Sequence, residues 1–309
     1  MAEKVTVCEV GPRDGLQMAK SIMPTPVKTR WIAAIAAAGV SEIEVGSFVP
    51  PRLIPQMADT GEIVRRAVLL PHVTIVALGP NMRGAQDAYV AGAHRLSVPV
   101  SVSEGHSRAN TNRTPDEQIA EVGRILAWVR EQPRKMEVEV ACSTAFGCSI
   151  DGLVPEASVV RVAAGLAAAG ATDISLADTV GYAYPAQIRS TVRAVRREIG
   201  ERFNGLHLHD TMGLGLANAL AGLEEGVRNF DAALAGLGGC PFAPGASGNI
   251  VTEDLVFMLE SMGFETGIHL DKLIAARGIL REGLPSEAMH GNVARAGIPR
   301  TFVPAARAA

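Results

Sequence analysis

Ala36-Ala-Ala-Gly-Val-Ser-Glu-Ile-Glu-Val-Gly46 packs the end of an alanine-rich helical run, a glycine stop and a short β-branched strand into one passage. The same turn from helix to strand returns at Ala91-Gly92-Ala93, ahead of Arg95-Val98, and at Ala169-Gly170-Ala171, ahead of Asp173-Ala177. Short strands alternating with helical stretches predict a parallel sheet with crossover helices. The strand candidates are Val5-Val10, Glu42-Gly46, Thr74-Leu78, Arg95-Val98, Glu137-Ala141, Asp173-Ala177, Leu206-His209 and Phe230-Leu234. Eight β/α units in about 240 residues match the size of a (β/α)8 TIM barrel. A doubly wound open sheet is the alternative, and no GxGxxG follows the first strand to favour it.

Between the strands, helical patterns run from Pro26 to Ala38, Gly84 to Ala91, Pro115 to Arg130, Pro155 to Ala169, Pro185 to Ile199 and Leu216 to Glu225. Proline near the start and glycine just past the end is the normal helix asymmetry. Glu253-Met262 and Leu270-Leu280 add helices beyond the barrel. The reading is therefore one α/β domain over residues 1–309: a barrel over about 5–250, additional C-terminal helices over about 251–290, and a loose Pro/Ala/Arg tail over 291–309.

The 309 residues are 48% hydrophobic and 20% charged, with a formal net charge of -3. That composition supports a large core. With no basic tract, nucleic acid and membrane surfaces are poor partners, and a small molecule is the better one. Cysteines at 8, 142, 148 and 240 are too few and scattered for a disulfide framework, which fits a reducing cytoplasm. No signal peptide, presequence or bilayer-length apolar run is expected.

A barrel of this kind carries its chemistry at the C-terminal ends of its strands. Reading those ends in order gives Arg13, Asp14 and Gln17 after strand 1, Glu44 on strand 2 and Asn81 after strand 3. Ser101, Ser103 and His106 follow strand 4, Ser143 and Thr144 strand 5, and Asp178 strand 6. In Gly205-Leu-His-Leu-His-Asp210, alternation points His207 and His209 to one side, and paired neutral imidazoles suggest a metal. Asp14 can add an anionic oxygen, and the donor fork of Arg13 suits a developing oxyanion. A mixed N/O site suits Mg2+ or Mn2+, with zinc the alternative. The run Gly236-Leu-Gly-Gly-Cys-Pro-Phe-Ala-Pro-Gly-Ala-Ser-Gly-Asn249 reads as a loop over the site, with Cys240 in it placed for proton transfer. Cys8 reads as core, and Trp31 and Trp128 as packing.

Gly11-Pro-Arg-Asp-Gly-Leu-Gln17, Ile43-Glu-Val-Gly-Ser-Phe-Val49 with Pro55-Gln-Met-Ala-Asp59, His207-Leu-His-Asp-Thr211 and the run Gly236 to Asp254 together resemble the 3-hydroxy-3-methylglutaryl-CoA lyase family of metal-dependent TIM barrels. The likeness covers roughly residues 5 to 285, and its cysteine-containing, glycine-rich run is the most specific part. What it implies is a divalent metal, Mg2+ or Mn2+, held by Asp14, His207, His209 and Asn249. Arg13 would bind the thioester oxygen, Glu44 and Asp178 would order the site, Cys240 would be the acid/base, and His207 or Asp14 would take the hydroxyl proton. Gln17, Ser143 and Thr144 are substrate-binding candidates, and Arg83, Arg108 and Arg113 candidates for the CoA nucleotide. The implied reaction is retro-Claisen cleavage of a 3-hydroxy-3-methylacyl-CoA, by a homo-oligomer of two or more chains, with leucine degradation as a pathway it suits.

The sequence departs from that family at Thr211-Met-Gly-Leu-Gly, at the end of strand 5 and at His106, which stands where an aromatic residue is usual. These positions touch the acyl group, so citramalyl-CoA or a longer 3-hydroxy-3-alkylglutaryl-CoA is an alternative substrate. A condensing synthase or pyruvate-type aldolase on the same metal site is a second enzyme class, and a barrel that only binds metal or CoA is a third reading.

Overall fold

The computed structural model describes residues 2–238 and 248–305. Eight parallel strands close into a barrel: β1 (Thr6–Glu9), β2 (Glu42–Ser47), β3 (Thr74–Leu78), β4 (Arg95–Ser101), β5 (Glu137–Ser143), β6 (Ile174–Asp178), β7 (Phe203–Leu208) and β8 (Asn229–Ala232). The closure is β8 against β1, with Cys8 opposite Asp231. All eight strand candidates are present, shifted by a few residues at their ends. Because β7 stops at Leu208, His209 lies just beyond it and pairs across a single bridge with Asn249.

The helices form where local chemistry starts and stops them. Thr114 and Glu117 cap the helix Pro115–Arg130 reciprocally, and Asn81 accepts from Gly84 N at the start of Met82–Ala91. Gly92, at φ +99°, ends that helix in the left-handed conformation glycine tolerates best. Three helices were not legible, the five-residue Asn292–Ala296 among them. Thr60–Ala67 spans eight residues with a glycine at its second position. Glu104–Thr111 is polar and weak in helix propensity, and it forms because the Ser103 side chain caps it and Asn112 closes it at φ +56°. Asn81 and Ser103, read as mouth residues, are thus also helix caps.

The Pro55-Gln-Met-Ala-Asp59 segment is fixed from below. Lys28, 1% exposed, donates to Gln56 O at 3.0 Å and to Asp59 Oδ1 at 2.6 Å. Outside the barrel, Glu3–Lys4 pairs in parallel with Phe264–Glu265. The expectation of a loose tail does not hold for residues 292–305. Asp254 accepts from Asn292 N and Val293 N at 2.8 Å each, Phe302 lies 5.3 Å from the Phe257 ring, and Ala305 N donates to Glu260 at 2.7 Å. Carboxylates reaching out from the helix Thr252–Ser261, with one aromatic anchor, hold what composition alone marked as loose.

Candidate active site

Strand β1 ends in one wide helical turn, Gly11–Gly15, in which Val10 O accepts from Arg13 N at 3.0 Å and Asp14 N at 2.8 Å. That turn aims two consecutive side chains at the barrel mouth. Arg13 Nε donates to Glu44 Oε2 and Nη1 to Asp14 Oδ1, each at 2.5 Å, so carboxylates from two elements fix the guanidinium. The Arg13 side chain keeps 12% exposure, on the wall of the mouth cavity.

Across from it, His207 Nε2 and His209 Nε2 lie 3.1 Å apart. Asp14 Oδ2 is 3.4 Å from His209 Nε2 and 4.0 Å from His207 Nε2. Asn249 Nδ2 donates to the same Asp14 oxygen at 2.7 Å, while its own Oδ1 is buried with no partner among the described residues. Cis ligands of a small octahedral ion lie roughly 3 Å apart, so the two imidazoles and Asp14 have the spacing of a shared ion, and the orphaned amide oxygen is a further donor of the right kind. Backbone pairing sets this geometry: Asp210 N donates to Gly248 O at 2.8 Å and Ile250 N to Leu208 O at 3.1 Å, which ties Asn249 beside the His-x-His segment.

His207 is also held from behind, its Nδ1 3.0 Å from Asp231 Oδ2 on β8. Asp231 escaped the sequence reading, although alternation along Asn229-Phe-Asp-Ala232 puts it on the same inward face as Asn229. Burial lowers the affinity of His207 for a proton, but the bond and charge of Asp231, then the charge of Asp14, leave its pKa raised. Burial pushes Asp14 up, and the Arg13 guanidinium and the two imidazoles more than offset it, holding the carboxyl well below its ordinary range. Glu44 is pushed up to about 7 by burial against the pull of Arg13. Asp178, fully buried, is raised by burial while accepting from Tyr182 N at 3.0 Å and Ala183 N at 3.1 Å.

The mouth is a cavity of about 860 Å3. Arg13, Asp14, Gln17, Glu44, Ser143, His207 and His209 line it, as sequence reasoning expected, and so does His106, whose Nδ1 is 2.8 Å from Ser101 Oγ. Thr144 does not. At φ +58° its hydroxyl turns back to donate to Ser143 O at 2.6 Å and accept from Ser103 N at 3.2 Å, so its role is to fix the turn after β5. Asp178 lies behind the wall, bracing its loop. Of the three arginines considered for a nucleotide, Arg113 reaches the cavity and Arg52 joins it. Arg83 and Arg108 are instead exposed and paired with Asp87 and Glu104. Cys240 lies outside the described residues.

The sequence matches the HMGL-like family over residues 4–279. The chain belongs to this family. It is 41% identical to the mitochondrial hydroxymethylglutaryl-CoA lyase of Mus musculus, covering 92% of this chain and 87% of that one. It is 40% identical to the cytoplasmic 3-hydroxy-3-methylglutaryl-CoA lyase of Rattus norvegicus, covering 89% and 80%. Its fold is similar to that of an HMG-CoA lyase from Acinetobacter baumannii, solved in complex with coenzyme A and 3-methylmalate, at TM-score 0.89 and 40% identity over 97% of each chain. The chain is accordingly a carbon–carbon lyase on a TIM barrel with additional helices.

Proposed function

We propose that this site cleaves HMG-CoA to acetyl-CoA and acetoacetate with the help of a divalent metal, Mg2+ or Mn2+, held by Asp14, His207, His209 and Asn249. The observation that carries the proposal is the convergence of those donors on one wall of a cavity that Arg13 shares. When bound, the ion supplies a Lewis acid that makes the tertiary hydroxyl of the substrate easier to deprotonate.

The rest is done by side chains. Arg13, its Nε and one Nη engaged by Glu44 and Asp14, keeps Nη2 free of protein partners among the described residues, and that nitrogen is directed to the thioester oxygen. As the carbon–carbon bond breaks, the electron pair moves toward that oxygen and Arg13 stabilises the enolate. The hydroxyl proton is assigned to Asp14 Oδ2 or His207 Nε2, atoms 4.0 Å apart. A nitrogen that ligates the ion cannot accept the proton at the same time, so His207→Ala separates the two: loss of metal retention makes His207 a ligand first, and retained metal without turnover makes it the base. Cys240 is assigned the return of a proton to the enolate carbon. Gln17 and Ser143 are assigned contacts to the acyl chain.

A second reading keeps the chemistry and moves the substrate to citramalyl-CoA or a longer 3-hydroxy-3-alkylglutaryl-CoA. It is favoured by the polar His106 on the cavity wall, held from behind by Ser101, and by the relative that holds 3-methylmalate. Turnover of HMG-CoA, both citramalyl-CoA enantiomers and a longer analogue, with Mg2+ or Mn2+ and with chelator, decides between them. Metal-dependent acetyl-CoA release from none of the panel would remove both readings.

The proposed setting is the cytoplasm, supported by the cysteine usage, and the proposed assembly is a homo-oligomer of two or more chains. Among the described residues, no helix is long and apolar enough to cross a membrane. The products suit leucine degradation.

A further inference from the structure

Away from the substrate mouth, a second cavity of about 550 Å3 opens between the helices Thr252–Ser261 and Leu270–Gly283 and the segment 289–295. It shares no lining residue with the mouth. Its volume falls in the range of small-molecule sites, about 300–1,000 Å3. Arg277 and Arg281 stand one turn apart on Leu270–Gly283 and so reach the same wall. Arg295 comes to that cavity from the short helix Asn292–Ala296.

Donors and acceptors around this cavity do not balance. Arg277 has a carboxylate partner in buried Glu253, and the same Nη1 also donates to His290 O at 2.8 Å. Arg281 Nη2 reaches Met289 Sδ at 3.8 Å, and Arg295 Nη2 donates to the neutral Asn292 Oδ1 at 2.7 Å. Neither of these two has a carboxylate partner among the described residues. The acids on the cavity wall are committed elsewhere: Asp254 accepts from Asn292 N and Val293 N at 2.8 Å each, and Asp210 accepts from Gly215 N at 2.7 Å.

A guanidinium offers five N–H donors in a planar fork that fits the oxygens of phosphate or carboxylate. Two surface arginines met singly would be solvated charges. Here they come from different helices onto one cavity, with a third guanidinium, 13% exposed, behind them. A doubly charged anion with oxygens on several sides answers both the spare donors and the two unpaired charges. A neutral ligand would leave the charges unmet, and a cation would be repelled.

We propose that this cavity binds a small dianion of the phosphate class, held by Arg281 and Arg295 with Arg277 behind them. The assignment does not rest on the reaction proposed above. Its consequence is mechanical. His290 N donates to Ala235 O at 2.8 Å, in the turn Leu234–Gly236 after β8. An anion bridging Arg281 to Arg295 ties the segment 289–295 to the helix Leu270–Gly283 and steadies that turn.

The test is calorimetric titration of inorganic phosphate into the full chain, against chloride at equal ionic strength, for the wild type, Arg281→Gln and Arg295→Gln. Saturable binding to one site in the wild type, weakened about tenfold in each variant with an unchanged circular dichroism spectrum, is the expected result. Absence of saturable binding overturns the proposal. Phosphate held equally well by the wild type and both variants overturns it too, because the ion then sits elsewhere, as on Arg52 and Arg113 at the mouth. A repeat with coenzyme A bound separates a free anion from the phosphates of the substrate. Phosphate must still bind; its exclusion assigns these arginines to the nucleotide of coenzyme A and overturns a separate site. Should a variant fail to fold, hydrogen exchange on the unmodified protein serves instead: residues 289–295 must gain protection in phosphate over chloride, and equal exchange in the two salts overturns the inference.

Discussion

At His207, Nδ1 faces Asp231 and Nε2 faces His209 and Asp14, so the carboxylate on β8 selects the tautomer that leaves Nε2 bare. Outer-shell carboxylates of this kind are worth about 10–100-fold in metal affinity. Asp231→Ala is expected to weaken Mn2+ binding by that factor in a direct titration, and Asp231→Asn by less, because an amide oxygen still accepts from Nδ1 without carrying charge. For Cys240→Ala the expectation is a turnover lower by about 10²–10⁴ with metal affinity unchanged. Loss of the metal together with turnover would show that Cys240 had been given the wrong role. Residue chemistry in Arg13, Asp14, Glu44 and the His-x-His pair was legible because each lies on a strand or just after one. Thr144 was misread since its left-handed backbone, which turns the hydroxyl inward, leaves no mark on residue type.

The loop after β8 is pinched at its neck. A Cβ on Gly248 would run into the Gly238 carbonyl oxygen, and Gly238 itself sits at φ +110° where an added Cβ would crowd Asn249 Nδ2. Gly248→Ala should therefore push Asn249 and the Gly248–Asp210 backbone bond out of place, costing about 1–3 kcal/mol of stability together with metal affinity, read by thermal melting and metal titration. Gly278 offers the contrast: it lies inside the helix Leu270–Gly283 with nothing within 4 Å of an added Cβ. Gly278→Ala is expected to stabilise by about 0.5–1 kcal/mol. Glycine content marked the loop after β8 in the sequence, whereas the close approach of its two ends is a tertiary fact.

Across the whole molecule, the barrel interior holds an excess of acid. Glu42 pairs with Arg95 at 2.7 Å, and Glu139, Asp173 and Asp231 crowd the same space. Burial pushes Glu42 up to about 7, opposed by Arg95 and reinforced by Asp231 and Asp173. The folded pKa is thus above the unfolded one, so this contribution to stability is fully present below about 4.5 and is lost as pH rises through about 7. Melting temperature at constant ionic strength should fall between about pH 4.5 and pH 7 by this route, and Glu42→Gln, which cannot ionise, should flatten that decline. An unaltered slope in the variant would assign the pH dependence elsewhere.

The sequence by itself determined the eight alternations of strand and helix, the glycine and proline punctuation around them, and the chemical types waiting at the strand ends. Those signals are local: hydrophobic period, backbone freedom and cap chemistry act within a few residues. Only the tertiary structure decided that Asp231 stands behind His207, that Thr144 faces away, that the residues before Ala305 are docked, and that Arg277, Arg281 and Arg295 share one cavity. These depend on strand register and on which loops become neighbours when the barrel closes, and closure joins β8 to β1 across more than two hundred residues of chain.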